Sequence, residues 1–79
     1  MVLKTYFSLQ GQPLFELYEK LNPLPRVMEN VRIGKGHLAE KTIESHFNKS
    51  CPILLAVISV RHSFEVHEES VSIELDFIP

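Results

Sequence analysis

Four histidines and a single cysteine are the side chains with the most chemistry to offer in this 79-residue chain. A structural zinc site needs four converging ligands, usually delivered as close pairs such as Cys-x-x-Cys. No such pair occurs, because Cys51 stands alone. His62 and His67 are five apart, so on one continuous strand they face opposite sides. His46 and Cys51 straddle an expected helix end and are the one pair placed to converge. The reading is no metal and no cofactor. His46 is expected on a half-buried face, His62 at the core margin, and His37 and His67 in solvent.

A thiol nucleophile needs a base beside it and a group that orients the base. Cys51 instead precedes Pro52 at an apolar junction, where a free cysteine behaves as a small hydrophobe. Arg61, His62 and a nearby glutamate are the residue types of a small ribonuclease: charge clamp, base and acid. They sit among carboxylates that repel a phosphate backbone. No catalytic residue is assigned, and a ribonuclease stands as the second alternative.

Gly34-Lys35-Gly36 precedes a helical pattern. Main-chain N–H groups at a helix start, with a lysine, hold anions. The Walker spacing G-x-x-x-x-G-K-[ST] is absent. Val31-Arg32-Ile33-Gly34-Lys35-Gly36-His37, followed by Lys41 and Ile43, resembles the GXXG hinge of K-homology RNA-binding domains. His37 stands at the second motif glycine and Glu40 at an apolar position. The resemblance implies a loop between two helices that clamps a nucleic-acid backbone. Arg32, Lys35, His37 and Lys41 would make those contacts. This nucleic-acid-binding domain is the first alternative.

The elements that must position these residues follow from periodicity. Val2–Leu9 alternates, with Leu3, Thr5, Phe7 and Leu9 on one face, and reads as a strand. Gln10-Gly11-Gln12 breaks it. Leu14, Leu17, Tyr18 and Leu21 fall at i, i+3, i+4 and i+7 behind Pro13, which predicts a helix with Glu16, Glu19 and Lys20 on its wet side. Asn22-Pro23-Leu24-Pro25 stops that helix. Arg26–Ile33 fits a helical turn or a short strand, and the helical turn is preferred. His37–Asn48 reads as the second clear helix. Ile53 to about Val66 reads as a strand with Leu54, Ala56, Ile58, Val60, His62 and Phe64 sharing one face. A turn at His67–Ser70 returns the chain through Val71, Ile73, Leu75 and Phe77 on the core face. The fold class expected is α+β, in the order β-α-(short α)-α-β-β. Two helices pack on one face of an antiparallel sheet, in a single domain over residues 1–79.

Composition narrows the function further. A net charge of −2 disfavours a dedicated nucleic-acid binder. The charge is uneven: residues 26–50 carry a net +2 and residues 51–79 a net −4. No run of apolar residues is long enough for a membrane helix. No signal peptide is recognised, and one unpaired cysteine fits a reducing compartment, so a soluble, cytoplasmic protein is expected. A chain this short makes a thin core, and without a disulfide the simplest staple is association.

The function expected first is therefore a non-enzymatic protein-binding module: a small regulator, inhibitor or complex subunit, as a homodimer or in a hetero-complex. Its contacts are expected on the acidic C-terminal hairpin, at Glu65, Glu68, Glu69, Glu74, Asp76, Phe77 and Ile78. The alternative mode is strand addition to an open Ser70–Ile78 edge.

Overall fold

The computed structural model of the protein describes residues 2–19 and 21–79, and of Val2 the backbone alone. Five strands and one helix follow one another: β1 (Val2–Leu9), β2 (Gln12–Leu17), β3 (Asn30–Ile33), α1 (Glu40–Phe47), β4 (Ile53–Phe64) and β5 (Glu68–Phe77). They form one curled sheet, a half-barrel, in the order β2-β1-β5-β4-β3. Strands hold 51% of the chain and helix 11%, which overturns the expectation of two helices packed on a sheet. The sheet is mixed, since β1 and β5 run parallel and the other pairs antiparallel.

The first expected helix is instead the strand β2. Gln10 (φ 50) and Gly11 (φ 82) both take positive φ, the signature of a two-residue type I′ turn whose twist matches a hairpin. Leu9 then pairs with Gln12 and Phe7 with Phe15. The Phe7 and Phe15 rings stack with centroids 4.5 Å apart, a cross-strand pair of the kind that stabilises sheets. Pro13 is tolerated because β2 is an edge strand, and the register shifts beside it so that Leu14 is buried as an extra residue. The helical spacing of Leu14, Leu17 and Tyr18 is thus an accident of a bulge. Lys20, assigned to the wet side of that helix, lies outside the described residues.

The segment before Gly34 is a strand rather than a helical turn. Arg26–Glu29 makes a tight turn, with the Glu29 N–H donating to Arg26 O at 3.0 Å and Met28 at φ 76. β3 follows, pairing Val31 with Leu55 and Ile33 with Ile53. Only the last helix forms, and it starts three residues later than His37. The His37 Nδ1 accepts the Ala39 N–H at 3.1 Å, and Glu40 N–H donates to His37 O at 3.0 Å. Asn48 closes the helix in the left-handed conformation (φ 54), which asparagine adopts at low cost.

The concave face holds the core. Phe7 and Leu9 from β1, Ile73 and Leu75 from β5, Leu55 and Val57 from β4 and Ile33 from β3 are all buried there. At one end α1 fills the half-barrel with Ile43, and Phe47 meets Phe77 edge-on at 5.5 Å. At the other end the irregular segment between β2 and β3 crosses the face. Thr5 Oγ1 donates to Glu19 O at 3.1 Å where the crossing begins, and Leu21 and Leu24 pack inward. β4 carries a bulge of its own: Val57 pairs with Leu75 and Ser59 with Glu74, leaving Ile58 unpaired. The slip changes which residues share a face. Ile53, Leu55 and Val57 point inward, and beyond the bulge Val60, His62 and Phe64 do so too.

Candidate functional site

The acidic hairpin does not assemble one surface. Adjacent strand residues face opposite sides, so Glu68, Glu74 and Asp76 lie on the convex face of β5 and Glu69 on the concave face. Glu65 sits in the turn at the far end from Asp76. The convex carboxylates have partners inside the fold. Glu74 accepts the Gly11 N–H at 2.7 Å, Asp76 accepts from Gln10 Nε2 at 3.0 Å, and Glu68 accepts from the Tyr6 hydroxyl at 3.3 Å. Glu74 and Asp76 hold down the β1–β2 turn. Phe77 packs against Phe47 and Lys49, and Ile78 lies just past the strand. We predict that Glu74→Ala costs about 1 kcal/mol of stability in urea denaturation while self-association is unchanged. A variant with wild-type stability and weakened association would return this carboxylate to the contact surface.

Strand addition along Ser70–Ile78 is closed off. β5 is a central strand, bonded to β1 on one side through Val2–Leu9 and to β4 on the other. Its apolar alternation reflects burial of its concave face, which a central strand and an edge strand share, so the pattern could not place it.

The basic residues of the first alternative differ in placement. Arg32 on β3 and Lys35 and Lys41 beyond it are exposed. Gly34-Lys35-Gly36 joins a strand to a helix, whereas the K-homology hinge joins two helices. His37 is withdrawn from such a role: it caps the approach to α1 and sets its ring edge-on to Phe15 at 4.6 Å. Arg61 and His62 project from opposite faces of β4, so the ribonuclease trio does not converge. Among the described residues no three His, Cys, Asp or Glu side chains come together as metal ligands. His46 is exposed and Cys51 buried. Burial holds the Cys51 thiol above its ordinary pKa, and the Glu40 and Glu44 carboxylates push it the same way, so little of the reactive thiolate is present near neutrality.

Besides the outer edges of the terminal strands β2 and β3, the fold leaves open a stretch of the outer flank of β4. β4 has twelve residues and β3 four. Pairing with β3 covers Ile53–Ala56. Val57 is the last position served: it donates to Glu29 O at 2.8 Å and accepts the Met28 N–H at 2.9 Å. Farther along, Glu65 N–H donates to Glu68 O. Antiparallel alternation from that bond turns the main-chain groups of Ser63 and Arg61 toward β5 and those of Val60, His62 and Phe64 outward. Among the described residues none bonds to these outward groups.

A groove runs beside that edge. It has a volume of about 470 Å³ and lies between Leu21–Val27 and the inward side chains of Val60 and His62. Large apolar side chains stand exposed at both ends of the edge: Phe64 (75%) and Val66 (88%) at the hairpin tip, Val27 (53%) and Met28 (89%) at the turn where β3 stops pairing. The sequence puts His62 at a core margin on one face with Val60, Phe64 and Val66, and offers Leu24 between two prolines as a bend that either stiffens a loop or docks a partner; it does not bring the two segments together. The available signal was Pro23-Leu24-Pro25, since a segment so rich in proline cannot donate a ladder of N–H bonds to a strand beside it.

The chain is thus a curled-sheet domain, a five-stranded half-barrel with a groove beside an unpaired stretch of β4. No protein family, characterised protein or solved structure matches it. No helix among the described residues is long and apolar enough to cross a membrane.

Proposed function

We propose that this protein is a non-enzymatic protein-binding module that takes a partner strand on the outer edge of β4. The supporting observation is the set of unbonded main-chain groups of Val60, His62 and Phe64 beside the groove. Strand addition supplies affinity through the main chain and specificity through alternate side-chain pockets. Here the pockets lie toward the groove, between Leu24 and Val60. A long, unprotected edge otherwise invites aggregation, and a partner removes that hazard. A regulator, inhibitor or small subunit working by this contact is the role that fits. The single buried thiol of Cys51 accords with a cytoplasmic setting, which belongs to the same proposal.

His62→Pro tests the reading. Proline removes the outward N–H, and an edge strand tolerates it on that side, so the fold should stand while binding falls. The measurements are self-association of the pure protein and selection of extended peptides from a random displayed library. Wild type should score in at least one, and His62→Pro in neither. Wild type that does neither, or a folded His62→Pro variant that binds as wild type does, overturns the proposal.

A further inference from the structure

We infer that the partner strand is β4 of a second copy of this chain, running antiparallel about a twofold axis that passes beside His62. The inference rests on the open-edge reading above and adds the identity of the occupant.

The register follows from the outward-facing groups. Residues paired in an antiparallel ladder share a face, and those that exchange hydrogen bonds must both point toward the partner. With His62 opposite His62 of the second copy, Val60 falls opposite Phe64 and Phe64 opposite Val60. Each of these residues has its main-chain groups turned outward, so all three pairs are of the hydrogen-bonded kind. Self-pairing about a twofold is isologous: every contact made by one copy is returned by the other.

The side chains agree with this register. Val60 and Phe64 face the concave side, so each Phe64 ring would lie over the other copy's groove, against Val60. One step beyond the ladder, the Val66 tip reaches the position of Val57, where the exposed Val27–Met28 turn stands. The exposed apolar residues sit at opposite ends of the edge, and antiparallel self-pairing is the arrangement that brings those ends together. Parallel pairing would stack tip on tip. Charge is mixed across the seam. On the convex side Arg61 falls opposite Ser63, diagonal to Glu65 of the second copy on one side and to its Arg61 on the other, within reach of long side chains. Arg61 and Glu65 are the charged residues of this stretch, and the twofold places each near its opposite twice. The product is a continuous ten-stranded sheet.

Complementary substitutions on the axis provide the test. His62→Glu alone sets two carboxylates against each other, and His62→Lys alone sets two ammonium groups together. The His62 side chain is exposed in the single chain, so both variants should fold, as circular dichroism will show. Light scattering should find wild type at dimer mass, each variant at monomer mass, and an equimolar mixture of the two back at dimer mass. Variants that both remain dimeric, or a mixture that stays monomeric, overturn the inference. Wild type that is monomeric but selects peptides in a manner lost in His62→Pro overturns self-pairing and leaves the open-edge reading standing. Wild type that does neither overturns both.

Discussion

Alanine at Leu75 is expected to destabilise the protein by about 3–4 kcal/mol, within the range measured for large-to-small changes in packed cores. Leu75 is fully buried on the central strand β5, with Leu9 of β1 on one side and Val57 of β4 on the other. Neither neighbour is free to collapse into the space, since each is fixed by its own ladder. At roughly 0.05–0.15 kcal/mol per residue a chain of this size has about 4–12 kcal/mol in total, so this one change consumes a large share. Urea denaturation should show the midpoint falling with an unchanged slope. Leu54→Ala supplies the contrast: Leu54 is exposed on the convex face of β4, and its loss should cost less than about 1 kcal/mol. Equal costs at the two positions would mean that the assigned concave face is not the core.

Ile43→Ala is expected to cost about 3 kcal/mol, with a local signature that Leu75→Ala lacks. Ile43 is the one fully buried side chain within α1. An eight-residue helix has little stability of its own in water, so it holds its shape because Ile43 and Phe47 fill the end of the half-barrel. Removing the Ile43 side chain should open the helix before the sheet. Amide exchange at Ile43, Phe47 and Asn48 should accelerate toward the rate of an unprotected chain while Ile73 and Leu75 stay slow. Exchange that speeds equally across helix and sheet would show that α1 and the sheet open together.

Both predictions depend on which residues face inward, and that was partly legible from the chain. The alternation of Leu3, Thr5, Phe7 and Leu9 and that of Val71, Ile73, Leu75 and Phe77 describes the observed faces of β1 and β5. Strict alternation has one structural meaning, because a one-residue slip would expose the whole apolar set. The β4–β5 hairpin is where it was expected, although its turn falls at Glu65–His67, a little before the anticipated His67–Ser70. The face assignment within β4 failed at Ile58. A bulge inserts one residue and shifts the phase from then on, and nothing in Ile58 or its neighbours announces it. The segment after Gly11 failed for a related reason. Leu14 is the extra residue of the β2 bulge, and it turned a period of two into an apparent period of 3.6. The decisive contact there is Phe7 on Phe15, between residues whose pairing is settled only when the chain reverses at Gln10-Gly11.

The acidic residues were visible but their use was not. Glu74 and Asp76 read as solvated charge, and only the parallel placement of β1 beside β5 brings the Gly11 N–H to one and the Gln10 amide to the other. The candidate binding edge was hidden for the same reason. An inner strand such as β4 has an open flank only where it outruns its neighbour, and the lengths of β3 and β4 have no relation until the sheet order is known.

The chain alone thus settled the two apolar faces of β1 and β5, the hairpin that ends in β5, and the existence of the helix read at His37–Asn48, which forms over Glu40–Phe47. Each depends on residues close in sequence, where side-chain period and turn chemistry suffice. The tertiary structure decided the sheet order, the central place of β5, the strand identity of β2 and the open flank of β4. Those are set by pairings between segments distant in the chain, whose energy lies in contacts that no local pattern contains.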